Sequence, residues 1–366
     1  MTRWDRLSGG TLTSDSLGLG DADAEARWIG IRRHQAVLVV AGLVLVSAWV
    51  LRASAPLGVL VVGLALLGSA VPTRDGQTLG EALVVVMRFL CRSRWHDVSV
   101  REFGDDVMLM APDVATFRAY ELDHRGRLDL SGRDTALAET LAGLVDATSA
   151  SSENQHISQH VMRREGETST LLALPLETPA PDGWRQRNSL ALTLIRVNED
   201  STLQLYERYT YLRTPDQLLR VFRVRDFSSV PESKSFLEQL LRSPVALDVS
   251  VHVEVIAGAK AHRLAARAVH RGRSDDATSS AAGFRRSARS SRSFERLAQR
   301  EVLVARGRAL IRIGVFVVVE GMSFEELERR SAVVWRRAHD GGLRLERGRA
   351  RQYEWYRAQL PGGLGW

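Results

Sequence analysis

The sequence predicts α/β (α+β) cytoplasmic domains with mixed sheets, preceded by an N-terminal two-helix transmembrane hairpin. Three observations lead to this fold class. Residues 36–71 contain a single charged residue, Arg52, although 25% of the whole chain is charged and 45% is hydrophobic. From Val98 onward, short segments alternate between apolar and polar residues as strands do, and segments with helical spacing lie between them. The length of 366 residues is enough for two or three domains.

The apolar stretch near the N-terminus predicts two membrane helices, at 35–51 and 57–71. With their flanks, both approach the length that a bilayer core requires, and Pro56 suits the first turn of the second helix. Arginines flank the outer ends of the pair, whereas Arg52 alone lies between the helices, so both termini are expected in the cytoplasm. A cleaved signal peptide is the alternative, because Ala53-Ser54-Ala55 resembles a cleavage site. The long leader that contains acidic residues disfavours it.

The segment after the hairpin is apolar from Leu79 to Leu90 but interrupted by Glu81 and Arg88, and it is too short to span a bilayer. It predicts an amphipathic helix at the membrane interface, with the first core helix of the soluble part as the alternative. The predicted organisation is a leader (1–34), a transmembrane hairpin (35–73), an interfacial helix (74–96), a first α/β domain (97–244), and a second α/β domain (245–366) with a basic helical arm (259–308).

In the first domain, Val98–Phe103 and Val107–Met110 predict paired strands joined by a turn, and Phe117–Leu122 predicts a third. Thr214-Pro215 predicts the start of a short helix that carries Leu218, Leu219 and Phe222. Further strands are expected at 190–197 and 203–212, and further helices at 134–149 and 232–241.

In the second domain, Val245–Ile256 alternates strictly and predicts a half-buried strand. Ala309–Val319 hardly alternates, which favours a strand buried on both faces. Ser323 and Glu326 form a capping box at the start of a helix that is expected to end near Gly341-Gly342. The polar face of the first of these strands consists of Asp248, Ser250, His252 and Glu254.

The basic arm carries a net charge of +9, against +7 for the whole chain, so all of the net basicity lies in this segment. Three interpretations are open: a surface for nucleic-acid phosphates, a contact with anionic lipid headgroups, and a solvated or protein-binding arm. The candidate contact residues are Arg285, Arg286, Arg289 and Arg292.

Several kinds of chemistry are excluded or disfavoured by residue type. The only lysines, Lys234 and Lys260, do not follow glycine, so the phosphate-binding loop of nucleotide hydrolases is absent from the sequence. The single cysteine, Cys91, cannot form an internal disulfide. His156 and His160 have the spacing of two zinc ligands on a helix, but the glutamate of the metalloprotease motif is missing. The sequence therefore predicts no catalytic, cofactor-binding or metal-binding residue, no cofactor, and no enzyme.

The N-terminal part resembles the PrgI family, small membrane subunits of conjugative type IV secretion systems. The specific part of the resemblance follows the hairpin: Arg74-Asp75-Gly76, Leu79 and Glu81, and then an apolar helix that ends in arginines and Trp95.

The C-terminal part resembles the N-terminal domain of the large conjugative ATPase of the same systems. The match consists of a strand VHVEVI, a long basic helix pair, a strand IRIGVFVVV, a helix SFEELE, and an ending with Gln352 and Leu360-Pro361. In that family the nucleotide-binding motifs lie beyond this ending, so the resemblance brings no catalytic residue. Actinobacterial conjugative elements encode membrane proteins that look like this fusion.

The two resemblances imply a non-catalytic, membrane-anchored structural subunit of a conjugative type IV-like secretion or DNA-transfer apparatus. Such a subunit would be a multi-pass protein of the cell membrane and part of an oligomeric assembly. Its implied partners are the lipid bilayer, a separate secretion ATPase and other channel subunits, with DNA or anionic lipid as possible ligands of the arm. The alternative is a membrane-anchored ligand-binding or signalling protein, or an uncharacterised membrane enzyme.

Overall fold

A computed structural model of the chain describes residues 27–28, 31–32, 41–47, 85–87, 89–103, 106–111, 113–122, 155–164, 167–174, 184–186, 202–226, 240–241, 243–256, 258–281, 288–307 and 310–361. The chain divides into two compact units. The larger unit comprises Met1–Gly20, Arg94–Gly272 and Ser287–Trp366, and the smaller comprises Asp21–Ser93 and Arg273–Arg286.

The smaller unit contains a two-stranded pair, and it is helical at 41–47, 85–87 and 89–91. The two strands, β1 (Arg27–Trp28) and β2 (Ile31–Arg32), are antiparallel.

A 12-stranded sheet dominates the larger unit. Its strands are β3 (Trp95–Phe103), β4 (Asp106–Ala111), β5 (Asp113–Leu122), β6 (Gln155–Arg164), β7 (Glu167–Leu174), β8 (Trp184–Gln186), β9 (Thr202–Glu207), β10 (Leu212–Arg213), β11 (Leu218–Asp226), β12 (Leu247–Ile256), β13 (Leu310–Gly321) and β14 (Arg344–Arg347). The helices of the second half are α1 (Gly258–Ala281), α2 (Ala288–Ala305), α3 (Phe324–Asp340) and α4 (Gln352–Gln359).

The main path of the sheet is β10-β9-β3-β4-β5-β7-β6-β12-β13-β11-β14. Because β10 pairs with β11 as well as with β9, the path closes on itself.

The α+β class is confirmed. The prediction of mixed sheets is wrong, since every strand pair in the described part of the chain is antiparallel. Two helices, α1 and α2, connect β12 to β13. The first helix leads the chain away from the end of β12 and the second leads it back to the same end of the sheet. The next strand, β13, therefore runs antiparallel to β12.

The sheet also crosses the boundary that the sequence places between 244 and 245. Strand β12 lies between β6, from the predicted first domain, and β13, from the predicted second. Strand β13 continues the crossing, because its other neighbour is β11. Residues 97–244 and 245–366 therefore share one sheet.

Strand β12 is buried on both faces, so the prediction of a half-buried strand is wrong. Its odd-numbered valines lie in an apolar cluster with Leu327, Val334 and Ala338 of α3. The opposite face is turned toward α4, and there Ser250 and His252 have 1% and 0% of their surface exposed. Alternation shows which residues share a face, but not whether a second layer covers that face.

Helix α4 packs against this second face. Its Tyr353, Trp355 and Tyr356 join Leu205, Phe316 and other buried side chains from seven strands in one apolar cluster. Six of its eight residues are buried. Because side chains from β3, β5, β7, β9, β10, β11 and β13 meet α4, this helix fills the face that closure of the sheet turns inward.

Three local predictions for the second half are confirmed. Ser323 caps α3 by accepting a hydrogen bond from the Glu326 N–H (3.2 Å), and the Glu326 carboxylate accepts one from the Met322 N–H (2.8 Å). The helix ends at Asp340 with Gly341 as its C-cap. Strand β13 is buried on both faces from Gly314 onward.

The helix predicted after Thr214-Pro215 is wrong, because Leu218 begins strand β11. Thr214 instead forms a turn in which its hydroxyl accepts a hydrogen bond from the Gln217 N–H (3.0 Å). Leu219 and Phe222 are both fully buried on this strand. A strand buried on both faces carries apolar residues without alternation, so a short apolar run does not distinguish it from a helix.

The predicted membrane segments lie largely outside the described residues. In the part of the chain that the structure does describe, no helix is long and apolar enough to cross a membrane. The interfacial helix assigned to 74–96 requires correction at its end, because Trp95 and His96 already belong to β3. The helix predicted at 134–149 and the strand predicted at 190–197 lie outside the described residues.

Candidate functional site

Three histidines lie together on the inward face of the sheet. His156 and His160 are on β6, and His252 is on β12 directly opposite Ser158. The same register places His160 opposite Ser250, and His156 opposite Glu254. Residues two apart on a strand share a face, so two polar faces meet along neighbouring strands.

The three imidazoles are in contact with each other. His252 Nδ1 lies 3.3 Å from His156 Nε2, with the two rings stacked at a centroid separation of 5.3 Å. The ring of His160 meets that of His252 edge-on at 5.4 Å, and its Nε2 lies 2.9 Å from the Ser158 hydroxyl. Phe316 contacts the His252 ring from β13 at 5.8 Å, so the cluster borders the apolar interior.

Burial keeps these histidines neutral. It lowers the pKa of His160 to about 3, with a smaller contribution from the nearby His156. The pKa of His156 is lowered to about 4, first by burial and then by the charge of Arg312. The pKa of His252 lies well below its usual value, mainly because of burial, although a hydrogen bond to the Gln359 backbone opposes that shift. All three imidazoles are therefore uncharged near neutral pH.

The arrangement is not a metal centre as it stands. Within the described ranges, no group of three or more His, Cys, Asp or Glu is placed to hold a metal ion. His156 and His160 lie on a strand and not on a helix, so their spacing of four puts them on one face at a strand's longer separation. Three buried neutral imidazoles can instead act as an acid-sensitive element, because protonation would place charge in a poorly solvated interior.

The spacing in the sequence singles out His156 and His160 but does not connect them with His252. A signal was present in the alternation itself. His-x-Ser-x-His at 156–160 and Ser-x-His-x-Glu at 250–254 are matching polar faces on neighbouring strands. Only the pairing of β6 with β12, which spans roughly ninety residues of chain, brings them together.

A second polar constellation anchors the N-terminus of α4. The Gln352 amide is fully buried, and its Oε1 accepts a hydrogen bond from the Val221 N–H (2.8 Å). Its Nε2 donates to the Val221 carbonyl (3.3 Å) and to the Gly348 carbonyl (2.6 Å). The side chain therefore bonds the backbone of β11 much as a neighbouring strand does.

Glu207 supplies a further contact to the same end of the helix. Its Oε1 accepts a hydrogen bond from the Tyr353 N–H (3.0 Å), and its Oε2 lies 3.5 Å from His96 Nε2. The His96 and Tyr353 rings stack at 3.6 Å. A carboxylate is favourable at a helix N-terminus, where backbone N–H groups lack intrahelical acceptors.

The turn before α4 requires glycine at Gly348. A Cβ there would lie 2.7 Å from Trp355 Cε3 and 2.8 Å from Gln352 Nε2. Two residues later, Ala350 adopts a positive φ of 54°, and its N–H donates to the Tyr209 carbonyl (2.7 Å). The start of α4 is therefore fixed by close packing as well as by hydrogen bonds.

The predicted contact arginines are only partly described. Arg285 and Arg286 lie outside the described residues. Arg289 and Arg292 lie on α2, but their side chains are also outside the description. The predicted basic helices themselves are present as α1 and α2. The two helices approach closely at Gly272 on α1, since a Cβ there would lie 3.0 Å from the Phe294 ring on α2.

The described residues define a closed antiparallel α+β domain with a buried helix on its inner face and a basic helical pair inserted between two central strands. No family model and no curated protein matches this chain.

Proposed function

We propose that this chain is a non-catalytic, membrane-anchored structural subunit of a conjugative type IV-like secretion apparatus. In this role the N-terminal hairpin lies in the cell membrane, both termini are cytoplasmic, and the sheet domain docks a separate ATPase at the inner face. The proposal starts from the two resemblances in sequence, to PrgI-like subunits and to the N-terminal domain of the conjugative ATPase.

The observation that carries the proposal is the anchoring of α4. Gln352 and Leu360-Pro361 are the residues of the ATPase-like ending, and in this fold they serve the interior of the sheet. Gln352 bonds the β11 backbone, and Leu360 is fully buried. A segment used in this way supports a rigid platform, because releasing it would expose its aromatic side chains and leave backbone groups unsatisfied.

The absence of a phosphate-binding loop in the 366 residues agrees with a structural role. The ATP-driven step would then belong to the docked partner. The Ser158 hydroxyl lies 2.9 Å from His160 Nε2, but both side chains are buried in the packed interior, so in this structure the pair offers no open site to a substrate.

A crosslinked pull-down from membranes tests the proposal. The tagged full-length chain is expressed in a host that carries a conjugative element, crosslinked in intact cells, solubilised and purified, and the co-purifying proteins are identified by mass spectrometry. A conjugative ATPase is expected among the crosslinked partners, and not among those of an unrelated tagged two-helix membrane protein. Recovery of the chain without any secretion subunit contradicts the proposal.

Cysteine labelling tests the membrane arrangement separately. In a C91S background, Ser54→Cys between the predicted helices is expected to react with an impermeant maleimide added to intact cells. Ala332→Cys, at an exposed position on α3, is expected to react only after the cells are opened. The reverse pattern would contradict the proposed topology.

A further inference from the structure

One side of α1 is lined with basic residues. Between Glu254 and Asp275 the sequence has five basic residues and no acidic residue. Four of the five fall at positions 260, 263, 267 and 271, which are three or four apart. At 100° per residue they share one face of the helix, spread along about 17 Å of its axis.

This face points away from the packed side of α1. Ala261 and Ala265 are buried in a cluster with Ile256 and Val304, and Val269 continues the same side. The basic positions lie opposite this seam, and all four side chains are exposed. The acidic residues of α2 do not neutralise the stripe, because α2 packs on the seam side through Val304.

The described residues compensate the charges on the stripe only in part. Lys260 lies 3.6 Å from the Glu254 carboxylate, and the Arg263 Nε donates to the Ala259 carbonyl of its own helix (3.3 Å). Arg267 and Arg271 form no ion pair or hydrogen bond with any residue that the structure describes. Exposed basic side chains in a row along one helix face repel each other, and an external polyanion relieves that repulsion.

We propose that the face formed by Lys260, Arg263, Arg267 and Arg271 binds the phosphate backbone of a nucleic acid. Arginines four residues apart repeat at about 6 Å along the helix, a spacing close to that of successive phosphates on one strand. Guanidinium groups form bidentate hydrogen bonds with phosphate oxygens. The face carries no aromatic side chain, so it recognises the backbone by charge and does not stack on bases.

The composition of α1 favours nucleic acid over a membrane surface. A helix that lies on a bilayer inserts an apolar face between the headgroups. On α1, Leu264 is the only large apolar side chain with substantial exposure among those described. The flanks of the stripe carry mainly alanine, histidine and serine, with Leu264 on one side and Asp275 four residues after Arg271 at the C-terminal end. The inference goes beyond the proposed function, since a subunit that docks an ATPase need not contact nucleic acid.

The test measures binding by the purified full-length chain in nonionic detergent. Fluorescence anisotropy is recorded with a labelled 30-base-pair duplex and a labelled single strand, across a range of salt concentrations. The variant R263Q/R267Q/R271Q removes three charges without a large change in helix propensity. The matched control, R329Q/R336Q/R337Q, removes three exposed charges from α3.

The α1 variant is expected to bind more than about tenfold more weakly at low salt, and its slope of log K against log salt should fall in magnitude by about 2.7. A slope difference of this size means that, between 50 and 200 mM salt, the wild type loses about 40-fold more affinity than the variant, because it has three more phosphate contacts to lose. The control should retain the wild-type slope. Circular dichroism and the urea midpoint verify that both variants are folded.

Equal losses in the two variants would mean that only net charge matters, and would overturn the proposal. So would the absence of nucleic-acid binding by the wild-type chain. Binding to vesicles containing phosphatidylserine that depends on these arginines, without binding to either nucleic acid, would assign the stripe to lipid instead. None of these results depends on recovery of an ATPase, so failure here and failure of the proposed function are distinguishable.

Discussion

Mild acid is expected to destabilise the sheet domain, because the histidine cluster must stay neutral to remain buried. The folded-state pKa values of His156 and His160 are about 4 and about 3, against an ordinary value of 6.5. The unfolded chain takes up protons below 6.5 that the folded chain cannot bind. The stabilisation is therefore fully present above that pH, and it is lost progressively as the pH falls from 6.5 to the folded-state pKa values.

The size of the effect follows from these shifts. One pKa unit corresponds to about 1.4 kcal/mol. Between pH 7 and pH 5 each of His156 and His160 is expected to cost about 2 kcal/mol of the free energy of unfolding. His252 acts in the same direction. Glu254 lies opposite His156, but Arg312 at 3.0 Å and Lys260 at 3.6 Å already compensate its charge, so it offers limited relief.

The assay is urea unfolding of the full-length chain in detergent at pH 7, 6 and 5, followed by tryptophan fluorescence. Trp355 lies in the buried helix and reports on the interior. The double variant H156Q/H160Q retains polar side chains, and its stability is expected to depend much less on pH. The control H262Q/H270Q changes two exposed histidines of α1 and should keep the wild-type dependence.

The comparison uses the change between pH values, so a general destabilisation of the double variant does not affect it. If H156Q/H160Q loses as much stability between pH 7 and 5 as the wild type, the buried histidines are not the groups that titrate. The same conclusion holds if the H262Q/H270Q control removes the dependence.

Three further predictions concern the anchoring of the helices and use the same unfolding assay. Gln352→Leu should cost about 3 kcal/mol or more, because it leaves the Val221 N–H and two buried carbonyls without partners; a change below about 0.5 kcal/mol would contradict that role. Gly348→Ala should cost about 1–3 kcal/mol through its clash with Trp355, and an unchanged midpoint would show that the turn has room to move. Ser323→Ala should cost about 1 kcal/mol through loss of the α3 cap, whereas an unaffected variant would mean that Glu326 alone satisfies this end.

Local features of the sequence predicted local structure well. The capping box at Ser323 and Glu326 depends on residues three apart, and the structure contains it with both hydrogen bonds. Strands β3, β4, β5, β12 and β13 were all indicated by alternation or by a buried apolar run. In each case the determining interactions lie within a few residues, so the sequence pattern carries the information.

The non-local features were not predictable in this way. Closure of the sheet depends on β10, a strand of two residues that pairs with both β9 and β11. So short a segment has no periodicity to detect. The burial of Ser250 and His252 likewise depends on α4, which begins about one hundred residues later, and on closure that turns this face inward. The alternation therefore predicted correctly which residues form the polar face of β12. The further prediction that this face is exposed to solvent was wrong.

The histidine cluster and the α4 anchor hold opposite ends of one helix. Gln352 and Glu207 fix its N-terminus through hydrogen bonds to backbone, and the Gln352 amide carries no charge that acid could change. At the other end, Gln359 contacts His252 through its backbone. Acid should therefore loosen α4 from its C-terminal end, while the end that bonds β11 stays in place. The residues that follow, Leu360 and Pro361, are the ones that the proposed function likens to the exit of the conjugative ATPase's N-terminal domain. A domain that docks a partner near this exit would then respond to protonation at the docking end, and not at the anchored one.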